Sequence, residues 1–207
     1  MRIQILDRAE RDLIEGFQYV RNRPRVSSLL LLSAVNSLFG APYFALVPIY
    51  ARDIFHLGET GLALLSGTAG AGAFCGALLV TYLGDFRRKG WAVLIGAIMF
   101  GFCIMGFALS SHLVMSLGFL FGLGFALVLS VALMNTLLQK LVTDEMRGRV
   151  MSMFILSFMG TMPVGSVLAG AASNRFGPQY TLAVGGFIVM TTGAALLIFK
   201  KRLRELY

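Results

Sequence analysis

The sequence predicts an all-α, polytopic membrane protein: six transmembrane helices behind an N-terminal cytoplasmic amphipathic helix. Three observations carry that prediction. The 207 residues are 57% hydrophobic and 14% charged, with a mean hydropathy of +0.78, whereas a soluble domain carries roughly 25% charged residues. Every Asp, Glu, Lys and Arg falls outside five intervals: 26–51, 60–84, 90–139, 150–174 and 176–199. A membrane crossing takes about 20 apolar residues, so four intervals hold one span each and 90–139 holds two. The third observation is charge placement: alternate segments between the spans carry 16 and 2 of the 18 Lys and Arg. By the positive-inside rule both termini are expected to be cytoplasmic, and the expected location is the plasma (inner) membrane, as a multi-pass protein. These patterns exclude a soluble enzyme, a nucleic-acid-binding domain and a secreted disulfide scaffold. The net charge of +8 reflects topology, and no nucleic-acid partner is expected.

Residues 1–26 are expected to be a cytoplasmic connector. Leu6, Ala9, Leu13, Phe17 and Val20 recur at helical spacing, and Asp7/Arg11, Arg8/Asp12 and Arg11/Glu15 are opposite charges four apart, which supports a helix. Pro24 is expected to end it. This helix is expected to be a surface-lying connector or partner contact, or else a solvated lead-in. The stretch is too charged for a cleavable leader, so the first span is expected to act as its own insertion signal.

The six-helix domain, 27–199, is expected to contain spans near 27–50, 61–83, 91–110, 113–136, 150–172 and 179–199. The long interval divides at Ser110-Ser111-His112. Residues 200–207 form a basic cytoplasmic tail. Small residues recur within the spans: Gly67, Gly70, Gly72 and Gly76 in the second, Gly118 and Gly122 as a GxxxG in the fourth, and Gly160, Gly165 and Gly170 in the fifth. Small side chains let helix backbones approach closely in lipid, and packing within the bundle is the expected use. Pro42 and Pro48 in the first span and Pro163 in the fifth each remove a backbone hydrogen bond and predict kinks. Cys75 and Cys103 lie within spans without a CxxC and read as packing residues.

No Asp, Glu, Lys, Arg or His lies within the expected spans, so intramembrane catalysis or a proton relay there has no ionisable group to use. No enzyme activity, metal or cofactor is expected. His56 and His112 fall in short outer loops. Uncharged polar side chains remain: Asn36 and Tyr43 seven apart, Asn135 and Gln139 four apart, Ser157 and Thr161 four apart. Each pair is expected to share a helix face. They suit either a hydrated path for a neutral or amphiphilic solute or interhelical hydrogen bonding. The third and sixth spans have few polar residues and are expected at peripheral, lipid-facing positions.

Charged chemistry is confined to the loops. After the second span comes Asp85-Phe86-Arg87-Arg88-Lys89, and before the fifth comes Asp144-Glu145-Met146-Arg147-Gly148-Arg149. Acids at a helix start complement its dipole. The mixture of signs predicts interlocking ion pairs at the cytoplasmic rim that open and close with conformation.

Leu83-Gly84-Asp85-Phe86-Arg87-Arg88-Lys89-Gly90 resembles the degenerate second copy of the signature loop of the major facilitator superfamily. Leu83, Gly84 and Asp85 match the pattern and Lys89 holds a basic position, while Thr81, Phe86, Arg88 and Gly90 depart from it. Gln139–Val150 is similar to the loop before the eleventh helix in the branch that holds the enterobactin exporter and drug and macrolide efflux proteins. Met159–Gly165 with Gly170 resembles that helix's Pro/Gly pattern, and Leu13–Pro24 the connector before the seventh helix. The resemblance implies one half of a twelve-helix transporter whose halves are each built from inverted three-helix repeats, with this chain starting inside the central connector. It further implies that the equivalents of the first, second, fourth and fifth spans line a cavity, and that Asp85 docks against the opposite half. The expected function is efflux of an amphiphilic small-molecule solute by alternating access. The expected partners are the lipid bilayer and a second six-helix half, as a separate chain or a homodimer. The alternative is a non-transporting membrane scaffold or assembly partner.

Overall fold

A computed structural model describes residues 15–84 and 89–199. Among them the regular structure is helical throughout, with six helical runs long and apolar enough to cross a membrane. These are Pro24–Ile54, Gly58–Leu83, Lys89–Leu109, Leu113–Leu141, Asp144–Phe176 and Pro178–Phe199. Residues 15–21 form a short helix ahead of them.

The connector helix ends at residue 21, close to Pro24 as expected, and Pro24 itself opens the first span. It occupies the first helical turn, where its missing N–H costs nothing and its fixed φ favours a helix start. Of the expected apolar face of the connector, Val20 is buried in the bundle while Phe17 is exposed; Leu6, Ala9 and Leu13 lie outside the described residues.

The prolines act through helix type more than through simple kinks. The first span runs as α-helix over Pro24–Val35, π-helix over Asn36–Gly40, α-helix over Tyr43–Ile49 and π-helix over Tyr50–Ile54. The fifth runs as α-helix over Asp144–Ile155, π-helix over Leu156–Gly160 and α-helix over Thr161–Phe176. Each intramembrane proline stands beside one of these wider turns. A proline cannot donate to the carbonyl four residues back and its ring crowds that carbonyl. Widening the adjacent turn relieves the crowding and re-pairs the backbone: the Ala41 N–H reaches the Asn36 carbonyl at 3.1 Å.

The helices meet where glycine allows it. A Cβ on Gly124 would stand 1.9 Å from the Ala69 carbonyl oxygen, and one on Gly72 1.9 Å from that of Phe121, so the second and fourth spans touch backbone to backbone. Gly101 and Gly186 face each other in the same way between the third and sixth spans. Gly165 of the fifth span and Gly185 of the sixth press on the Leu38 and Phe39 carbonyls of the first.

The apolar interior forms two clusters. One lies at the end that carries the connector and joins Val20, Leu29, Leu137, Val150 and Phe154. The other joins Tyr50, Phe100, Phe107, Leu120 and Leu123. In the second cluster the Tyr50 hydroxyl donates to the Ala108 carbonyl at 3.1 Å while its ring lies 4.5 Å from that of Phe107. An aromatic ring with a polar tip is buried at low cost when that tip finds an acceptor.

The third span is better covered by its own chain than most: 56% of an apolar window is buried, against 33% for the sixth span and 17% for the second and fifth, while Ile95, Phe102 and Leu109 remain exposed on it. Gly96, Ala97 and Gly101 give it a surface flat enough to wedge between the fourth and sixth spans.

Candidate functional site

A cavity of about 270 Å³ lies between the first, second and fourth spans. Tyr43, Phe44 and Val47 wall it on one side, Leu65, Ser66 and Ala69 on another. The contact of Gly124 with Ala69 sets the spacing of the second and fourth spans here. The turn at Ala41 and Pro42 restarts the first span at Tyr43, so the local break aims this ring. The Tyr43 and Phe44 ring centroids are 4.0 Å apart. The lining is apolar apart from the hydroxyls of Tyr43 and Ser66, and it holds no ionisable acid or base of the Asp, Glu, Lys, Arg or His type.

The structure does not bring Asn36 to this cavity. The seven-residue spacing to Tyr43 equals two turns only in an unbroken α-helix, and the π-helical segment and turn between them change the phase. Asn36 is fully buried, with neither side-chain nitrogen nor oxygen hydrogen-bonded to protein. Ser33, also fully buried on that span, has an unpartnered hydroxyl as well.

Asn135 and Gln139 do share a face, and they satisfy each other: Gln139 Nε2 donates to Asn135 Oδ1 at 2.6 Å. Asn135 is half-buried and Gln139 exposed at the end of the fourth span. Ser157 and Thr161 are both half-buried on the fifth span, where the Thr161 hydroxyl donates to the Ser157 carbonyl at 2.7 Å. Neither pair lines the cavity between the first, second and fourth spans. Side-chain bonds between spans come from other residues: besides Tyr50, Ser37 Oγ donates to the Phe158 carbonyl, joining the π-helical segments of the first and fifth spans. Ser37 carries no distinguishing sequence signal, but Pro42 and Pro163 mark the two distorted segments that it joins.

At the rim, Asp144 pairs with Arg147 at 2.6 Å one turn on, and Arg149 pairs with Glu15. Glu145 is exposed, and Lys89 is buried at the start of the third span. Asp85, Arg87 and Arg88 lie outside the described residues. The connector docks on the loop between the fourth and fifth spans through more than its ion pair. Tyr19 Oη accepts from the Thr143 backbone N–H at 3.3 Å, Arg23 Nη1 donates to the Leu141 carbonyl at 3.3 Å, and the Arg23 guanidinium lies 4.4 Å from the Tyr19 ring centre. The described part of this helix is held against its own chain through these contacts. An exposed ion pair contributes about 0.2–1 kcal/mol, so Glu15→Lys should not unfold the bundle. It should raise hydrogen exchange in residues 15–21 several-fold, and unchanged exchange there would show that Tyr19 and Arg23 suffice.

Comparison with known proteins gives a consistent relationship. The sequence profile described as transmembrane secretion effector matches residues 5–206. The chain is 28% identical over 192 residues to the MFS-type transporter YvqJ of Bacillus subtilis, covering 91% of this chain and 44% of that protein. It is 24% identical over 197 residues to macrolide efflux protein A of Streptococcus pyogenes, covering 91% of this chain and 47% of that one. The chain thus spans about half the length of the curated relatives it matches. In structure it resembles a crystal structure of the peptide transporter POT, with a TM-score of 0.68 at 17% identity, covering 88% of this chain and 40% of that chain. That likeness shows the fold alone.

Proposed function

The chain belongs to the transmembrane secretion effector family, whose relatives include MFS-type transporters, and from this premise we propose that it works as one six-helix half of an exporter for an amphiphilic small molecule. The observation that carries the reading is the cavity between the first, second and fourth spans. Its apolar walls with the Tyr43 and Ser66 hydroxyls suit a solute that is mostly apolar and offers one or two hydrogen-bonding groups. The efflux role of the macrolide relative supports the direction and the solute class.

Alternating access needs two bodies that rock against each other. The second and fifth spans, least covered by their own chain, are the surfaces on which the second half packs. Phe74 and Leu78 on one and Leu156 and Met159 on the other are exposed and would be covered there. The rim pairs of Asp144 with Arg147 and Arg149 with Glu15 lie at the end assigned to the cytoplasm by the positive-inside count, and they brace the connector and the start of the fifth span within this half. Asp85, Arg87, Arg88 and Lys89 serve the same rim from the neighbouring loop.

The test is macrolide accumulation in cells stripped of their own efflux pumps. The chain is expressed alone or together with a complementary six-helix half. Accumulation should fall only with the pair, and Tyr43→Ala in the pair should reduce efflux about tenfold, the weight of one hydrogen bond and part of an aromatic wall. Arg147→Ala should also reduce efflux while leaving the pair assembled. If the two halves assemble and no solute is moved under any condition, the scaffold reading replaces this one.

A further inference from the structure

A second and larger cavity, about 660 Å³, runs along the flank of the bundle between the fifth and sixth spans, apart from the cavity described above. Its floor is the proline-bounded segment of the first span, Leu38, Phe39 and Pro42. Two glycines explain why it exists. Gly165 brings the fifth span down on the Leu38 carbonyl, and Gly185 brings the sixth down on the Phe39 carbonyl. Beyond those contacts the two helices stand apart until the turn at Gly177, whose φ of +89° lets the chain reverse directly into Pro178. A groove is left between them, with Leu168 and Val184 exposed along its edges.

We propose that this groove holds one acyl chain of a bilayer phospholipid, with Arg175 at its mouth pairing with the lipid's phosphate. Three features commit it to that occupant. From Gly165 to Phe176 the fifth span rises about 16 Å at 1.5 Å per residue, roughly half of the ~30 Å hydrocarbon core, so the groove is one leaflet long. Its walls are aliphatic and aromatic, and the hydroxyls of Tyr180 and Thr181 lie at the end next to the turn. The Thr181 hydroxyl is already turned back on the Gly177 carbonyl at 2.8 Å, so it presents little polarity to the groove.

Charge supplies the third feature. Arg175 ends the fifth span, and its guanidinium lies 5.6 Å from the ring centre of Phe176, a wall of the groove. Among the described residues no carboxylate pairs with it, whereas Arg52, the other basic residue at that end, is held by Asp53 at 2.6 Å. An arginine at the membrane–water boundary, beside the Phe176 ring, matches a phosphodiester headgroup. The proposal needs only that the chain is in a membrane and does not depend on transport.

The experiment uses the full chain in lipid nanodiscs and a phosphatidylglycerol with a photoreactive diazirine on one acyl chain. A diacylglycerol with the same chain serves as the headgroup-free probe, and labelled residues are read by peptide mass spectrometry. The phosphatidylglycerol should label residues 165–188 in preference to the exposed apolar residues of the second span. Ala172→Phe, which fills the groove from a half-buried position, should remove that preference. Arg175→Gln, an exposed change that leaves the fold intact, should lower phosphatidylglycerol labelling there about five-fold, the weight of one basic residue at an anionic headgroup, and leave diacylglycerol labelling unchanged. Even labelling over all lipid-exposed residues, or labelling indifferent to both substitutions, would overturn the proposal. So would a photoreactive macrolide labelling the groove where phosphatidylglycerol does not, or crosslinks between two copies of the chain through Leu168 and Val184.

Discussion

Gly124→Ala should cripple the bundle, while Gly118→Ala, less than two turns away on the same helix, should be harmless. The methyl group at 124 would fall 1.9 Å from the Ala69 carbonyl oxygen, 2.9 Å from its carbon and 3.0 Å from the Ala73 nitrogen, all of them backbone atoms. A backbone cannot turn aside as a side-chain tip does, so the second and fourth spans must separate along their length. Overpacking in a filled core costs about 1–3 kcal/mol and occasionally more, and here the displaced partner is a whole helix. The expected result is a large drop in the detergent-solubilised, monodisperse fraction and in its apparent unfolding temperature. At Gly118 a new Cβ meets nothing within 4 Å. Replacing a mid-helix glycine with alanine there should stabilise by up to about 1 kcal/mol through helix propensity. Equal effects at the two positions would mean that the second and fourth spans are not packed through Gly124.

Asn36→Leu should do the opposite of what a polar-to-apolar change in a working transporter suggests: the protein should become more stable. The Asn36 side chain is fully buried, and both its nitrogen and its oxygen lack a protein partner. An unpaired buried polar group costs about 1–3 kcal/mol, and leucine repeats the branched shape without that cost. Thermal unfolding of the purified chain should shift upward. If Asn36 contributes to a solute path when the bundle opens, efflux by the assembled pair should fall in the same variant. A fall in stability would instead show that Asn36 is hydrogen-bonded in the membrane, and the pathway role would lose its structural support.

The fold class was legible because membranes impose few rules. Uncharged runs between charged loops fix the number of spans, and Ser110-Ser111-His112 was enough to divide the longest run, where the helices indeed end at Leu109 and restart at Leu113. What periodicity could not reveal was helix phase. Asn36 and Tyr43 were placed on one face by an α-helical period, and the π-helical turn before Pro42 separated them. The glycines were similarly half-readable. Composition marked them as packing residues, yet Gly72, Gly76 and Gly165 meet backbone while Gly67, Gly70 and Gly118 meet nothing. Which side of a helix faces a neighbour is decided by the other helices. The polar pairs misled in a subtler way. Thr161 and Gln139 each bond within their own helix, an option that spacing of three or four residues always leaves open.

The contacts of Gly165 and Gly185 with the first span also set an order of events during synthesis. The surface against which Leu38 and Phe39 must settle is made last: Gly185 emerges from the ribosome long after Phe39 has entered the membrane. At about 5–20 residues per second, the first span waits on the order of ten seconds for the helices that cover its broken backbone. Until then its loosened carbonyls lack the glycine faces of the fifth and sixth spans that cover them. The most deeply packed of the six spans is thus completed only when the last of them arrives.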